Sequence, residues 1–137
     1  MSEKIKVLQI IHLSICLATI VAYIILGDLS IEKLKIPVID SASILYVLIP
    51  VLAFVLSSFL FKSQLKQINP KLKLEEKFPI YQTASIMRWA VLEGAAFLIL
   101  IFKPDFILFG ILILIYLAFL RPTAERIDND LSDNNNF

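Results

Sequence analysis

Four stretches of the chain are almost wholly apolar, and the few polar residues within them recur at helical spacing. A crossing of about 30 Å of hydrocarbon takes roughly 20 mostly apolar residues at 1.5 Å each. Residues 7–26 and 42–61 carry no formal charge, residues 80–102 carry Arg88 and Glu93, and residues 105–121 form a shorter run. Backbone N–H and C=O groups in hydrocarbon must be paired within the segment, so these runs predict four membrane-spanning helices. Pro50 falls in the middle of the second run, where it removes one backbone hydrogen bond and predicts a kink.

Within the first helix Gln9, His12, Cys16, Thr19 and Tyr23 lie three, four, three and four residues apart. They form a single polar stripe on a helix otherwise built from Ile, Leu and Val. Ser43, Tyr46, Pro50, Ala53 and Ser57 repeat that spacing in the second. Two such stripes predict an internal seam of small and hydrogen-bonding side chains. The turn Lys103-Pro104-Asp105 is tight and makes an antiparallel hairpin of helices three and four. The two hairpins are loosely alike: Ile44-Leu45-Tyr46 and Ile107-Leu108-Phe109 open the second helix of each pair, and Gln9 and Gln82 open the first.

Composition agrees with this pattern. Hydrophobic residues make up 58% of the 137, charged residues 18%, and the mean hydropathy is +0.82. Soluble domains carry about 45–50% apolar and about 25% charged residues, so a water-soluble globule is excluded. The net charge of +1 gives no pull towards nucleic acid. One Cys and one His exclude an internal disulfide and a zinc site made of these residues. Lys4 and Lys6 before an apolar run imitate an export signal, but the run is too long and no small-residue cleavage site follows. Ile15 is too bulky for the position before a lipidated Cys16. The first span is therefore read as retained.

Orientation follows from Lys and Arg. Lys4 and Lys6 precede the first span, five lysines fill the loop at 62–79, and Arg121 and Arg126 follow the fourth span. The first loop has Lys33 and Lys35 among acids, and the third has Lys103 alone. Both termini and the loop 62–79 are thus expected on the cytoplasmic side. In that loop Phe61, Leu65, Ile68 and Leu72 recur at helical spacing among lysines. The pattern fits either an amphipathic segment resting on the anionic inner leaflet or a solvated connector. The acidic, Asn-rich tail at 128–137 is expected to be disordered.

Charges inside a membrane are rare and commonly functional. Arg88 lies 16 residues before Pro104 and Arg121 lies 17 after it. Both then sit roughly 24–26 Å from the turn, close to a full crossing. This level makes Arg88, Trp89 and Arg121 interface anchors. Glu93 lies about 7.5 Å deeper than Arg88 and must be protonated, paired or beside a wet crevice. His12 is at a similar depth from its own side. Glu93, His12, Gln9, Cys16 and Thr19 therefore make up the candidate polar or proton site. A His12–Glu93 contact is one reading, and a His12 bond to a backbone carbonyl is the other.

The stretch Arg88-Trp89-Ala90-Val91-Leu92-Glu93-Gly94-Ala95-Ala96-Phe97 resembles a signature of small four-span bacterial inner-membrane proteins. Arg121-Pro122-Thr123-Ala124-Glu125-Arg126-Ile127-Asp128-Asn129-Asp130-Leu131 is similar to the end of the same group. This resemblance implies architecture and carries no activity. Leu92-Glu93-Gly94 also resembles the ion-binding helix of rotary ATPase ring subunits, but with only three Gly the chain has no glycine-rich partner helix.

The expected fold is all-α: a membrane four-helix bundle of two antiparallel hairpins in the bacterial inner membrane, with both termini inside. No nucleotide loop, nucleophile elbow or metal-ligand spacing is present, so no enzyme, cofactor or metal site is expected. The expected function is a non-catalytic accessory or assembly subunit, or a small homo-oligomer. Its expected partners are the lipid bilayer and other membrane subunits or further copies, with no nucleic acid. The alternative is a small proton-coupled transporter or channel titrating at Glu93.

Overall fold

The computed structural model describes residues 2–27 and 39–133, which are all-helical. Helix α1 is Ser2–Leu26, α2 is Ile44–Lys66 and α3 is Leu74–Phe102. A 3-10 turn, Pro104–Phe106, leads into α4 (Ile107–Phe119), and α5 (Ala124–Asp133) follows. Three helices, α1 to α3, are long and apolar enough to cross a membrane. Helix α4 with its leading turn reaches that length only together with α5, which is bent from it by 90°. Alone, its 13 residues span about 20 Å.

Local chemistry sets the helix ends. Asp40 and Ser43 close the entry to α2 reciprocally. The Ser43 amide donates to Asp40 Oδ1 at 2.8 Å, and the Asp40 amide donates to Ser43 Oγ at 2.9 Å. The Ser43 hydroxyl also donates to Asp40 Oδ1 at 2.9 Å. These bonds to the charged form hold the exposed Asp40 carboxyl below the usual carboxylate range. Glu75 and Glu76 occupy the first turn of α3, where the exposed N–H groups favour negative charge. Helix α2 runs on through Pro50. Pro122 lacks the N–H that would extend α4. Thr123 then restarts the chain as α5, its Oγ1 accepting the Arg126 amide at 3.1 Å.

Helix α3 is the centre of the fold. In its most apolar window 44% of residues are buried, against 28% for α1 and 17% for α2. Phe61 of α2 packs edge-on to Tyr81 of α3, and Phe54 of α2 meets Tyr116 of α4. His12 packs on Trp89 and Tyr23 reaches Ala96, so α1 and α3 run the same way. His12 also reaches Leu117, and Tyr23 faces Gly110, so α1 and α4 run oppositely. The outward faces are apolar, with Ile25, Leu45, Phe59 and Ile101 all exposed. In water such a surface would be a large uncompensated penalty, whereas in lipid it costs nothing.

Two sequence expectations change here. The helices run past the apolar runs, α2 to Lys66 and α3 from Leu74, so much of 62–79 is helical, in keeping with its helical spacing. Phe61, Leu65 and Ile68 turn inward and join the protein core, so their amphipathic pattern serves neither a leaflet nor a solvated connector. Residues 128–133, assigned by composition to a disordered tail, continue α5. The reason is spacing: Ile127 and Leu131, one turn apart, are both buried and anchor an otherwise polar helix. Residues 134–137 of that tail, and Lys33 and Lys35 of the first loop, lie outside the described residues.

Candidate functional site

The last turn of a helix leaves its carbonyls without intrahelical donors. At the end of α4 these groups are met by α1. The Leu117 carbonyl accepts from the Leu120 amide at 3.1 Å and lies 2.7 Å from His12 Nε2. A carbonyl only accepts, so Nε2 must carry the proton. Gln9 Nε2 donates to the Pro122 carbonyl at 2.7 Å, one turn further along. Cys16 Sγ lies 3.6 Å from the same His12 nitrogen. No group of three metal-ligating side chains occurs among the described residues. The His12 ring rests on Trp89 with centroids 4.8 Å apart, tilted by 60°. His12 is thus a strut joining α1, α3 and α4.

Deeper along the same stripe, Thr19 donates to the Ile15 carbonyl at 2.7 Å and lies 3.4 Å from Glu93 Oε1. Its one hydrogen takes the nearer carbonyl, which leaves the carboxyl a weak polar contact. Tyr23 donates to the Ala96 carbonyl at 2.5 Å. Its phenol fits because Gly110 has no side chain; a Cβ there would lie 2.8 Å from Tyr23 Cζ. Gln9, His12, Cys16 and Thr19 therefore lie along one seam, with Glu93 reached at its inner part through Thr19. His12 and Glu93 face different partners.

Glu93 is half-buried, and the adjacent Gly94 is exposed with no described atom within 4 Å of where its Cβ would stand. Ala95 and Ala96 turn inward and are buried. The Glu93–Gly94 edge of α3 is therefore open on the outside of the fold, at a level where α3 is otherwise apolar.

Of the three residues expected at the membrane interface, Arg121 is exposed, while Trp89 is fully buried and Arg88 is 8% exposed. The Arg88 guanidinium lies 3.7 Å over the Phe61 ring. A desolvated contact of this kind contributes about 2 kcal/mol. Arg88 Nε and Trp89 Nε1 are buried with no hydrogen-bond partner among the described residues. Tyr81 donates to Asp130 Oδ2 of α5 at 2.8 Å and brings a carboxylate into the surroundings of Arg88. Sequence reasoning missed this Tyr81–Asp130 link. The signal was present: Tyr81, Ser85 and Arg88 are four and three residues apart, which is the stripe spacing of α1. No family model, no curated protein and no solved structure matches this chain, so what these residues do rests on their own geometry.

Proposed function

We propose that the chain is a non-catalytic membrane subunit that packs through the Glu93 edge of α3 against another membrane helix, from a second copy or from a larger assembly. One observation carries this reading: a half-buried carboxyl whose hydrogen-bond contact among the described residues is the 3.4 Å approach of Thr19, beside an open glycine, on an apolar helix. A carboxyl at that depth is costly unless a donor meets it, and a glycine lets a neighbouring backbone approach closely. The polar groups of α1 are bonded to backbone carbonyls of the fold itself, which favours a packing role for them over a proton path. In this reading α1 with α2 and α3 with α4 form two antiparallel hairpins in the bacterial inner membrane. The five lysines of residues 62–79, with Lys4, Lys6, Arg121 and Arg126, support cytoplasmic termini.

The test is native mass spectrometry of the full chain extracted in mild detergent. An assembly heavier than the 15.6 kDa chain is expected, and Glu93→Gln or Gly94→Leu should dissociate it while helicity is retained. A chain that stays at 15.6 kDa, or an assembly indifferent to both substitutions, overturns the proposal. Loss of pH-dependent flux in vesicles on Glu93→Gln, with assembly intact, would establish the transport alternative in its place. Orientation is read by a polar maleimide on single cysteines placed at Ile39 and Lys71 in a Cys16→Ser chain. Labelling from opposite sides is expected.

A further inference from the structure

A groove of about 590 Å³ runs along the outside of α1 beside the end of α4. Its walls are mainly apolar, with Leu13, Leu17 and Ile20 along its length, although Gln9, His12 and Cys16 also line it. At one end it is flanked by two cations from different helices, Lys6 of α1 and Arg121 just beyond α4. The Gln9 bond to the Pro122 carbonyl fixes those two segments side by side. Both cations are exposed, neither has an ion-pair partner among the described residues, and no described carboxylate lines the groove.

We propose that this groove binds one anionic phospholipid, with the phosphate between Lys6 and Arg121 and an acyl chain lying along α1. The polarity of the walls selects this occupant. A soluble anion would satisfy the cations and leave the apolar length empty. An apolar helix would fill the length and leave two cations uncompensated. A phospholipid with a negative headgroup matches both halves at once. From Lys6 to Ile20 the helix rises about 21 Å, the reach of a long acyl chain. The volume is that of roughly twenty water-sized units, again of the order of one such chain. The site is independent of the Glu93 edge, so either proposal can fail alone.

The experiment strips the full-length protein of lipid in mild detergent and titrates it with phosphatidylglycerol or phosphatidylcholine. Binding is counted by native mass spectrometry. One phosphatidylglycerol should bind with at least tenfold preference over phosphatidylcholine. Each basic side chain near an anionic headgroup contributes about a fivefold preference, so Lys6→Gln with Arg121→Gln should lower affinity for phosphatidylglycerol by about twenty-fivefold. Both side chains are exposed, and an unchanged melting profile checks that the fold is kept. If the double variant melts early, Lys6→Gln alone should still show the fivefold loss. Leu17→Trp, which fills the groove, should remove the bound lipid altogether. Equal binding of the two lipids, or affinity unchanged by the charge substitutions, overturns the proposal. So does a polypeptide crosslinked through a photoreactive residue at position 13 in native membranes.

Discussion

Replacing Gly110 by Ala tests the packing of α1 on α4 at its tightest point. The added Cβ would overlap the Tyr23 hydroxyl and lie 2.8 Å from Cζ and 3.0 Å from Cε2. The obstacle is the far end of a fully buried ring, which cannot swing aside without leaving its place. Forced overpacking costs about 1–3 kcal/mol. Displacing the phenol also breaks its bond to the Ala96 carbonyl, a further loss of about 0.5–1.5 kcal/mol. Gly110→Ala should therefore destabilise the chain by about 2–4 kcal/mol. In a Tyr23→Leu background the side chain stops short of Gly110. The same substitution should then be neutral, or stabilise by up to about 1 kcal/mol, since Ala is the better helix former. The assay is reversible unfolding by sodium dodecyl sulfate in mixed micelles, followed by emission of Trp89, the sole tryptophan, which is fully buried. Sites without contact add within about 0.5 kcal/mol, so a coupling of about 2 kcal/mol or more is easily resolved. An equal cost of Gly110→Ala in both backgrounds would refute the geometry.

His12→Phe keeps a ring against Trp89 and removes the donor to Leu117. It should cost about 1–3 kcal/mol and speed amide exchange at Leu120 but not at Ile113; unchanged exchange at Leu120 would mean that His12 does not hold the end of α4. The Asp40 carboxyl is held below its ordinary value first by the Ser43 hydroxyl and then by the Ser43 amide. Because the folded value is lowered, its contribution is full above the unfolded value near about 3.9 and is lost as pH falls through the folded one. Carboxyl titration by NMR should show Asp40 returning towards the ordinary value in Ser43→Ala, with the entry to α2 fraying below about pH 4 in the parent chain. An Asp40 titration unmoved by Ser43→Ala would contradict the reciprocal cap.

Periodicity in the sequence carries the helices and the buried face of α1. His12, Cys16, Thr19 and Tyr23 are that face, and Leu8 completes it where Gln9 sits half out to reach Pro122. Helical spacing locates a face without naming its neighbour. The stripe through Phe61 and Leu65 is helical as its spacing requires, yet the protein core takes it up. Arg88 and Trp89 illustrate the complementary limit. Counting residues from Pro104 gives depth, while orientation around the helix axis is set by packing against Phe61 and His12, which no count along the chain supplies. Helix α5 was hidden because two apolar residues, Ile127 and Leu131, are too few to outweigh an acidic, Asn-rich composition.

The bonds that finish α4 come from residues 105 and 113 positions away in sequence. During synthesis α1 leaves the ribosome long before α4 exists, so the donors of Gln9 and His12 are waiting when the last apolar segment arrives. A segment of 13 residues is a poor candidate for independent insertion. If α4 is a span, its entry is expected to be templated by a helix already in place, with α4 docking onto α1 late in maturation. Biogenesis becomes sensitive to the N-terminal helix in a way that stability measurements on the finished protein do not record. Substitutions at Gln9 or His12 are expected to appear in cells as partly inserted chains, degraded from the α4 side, before they appear as unfolded ones.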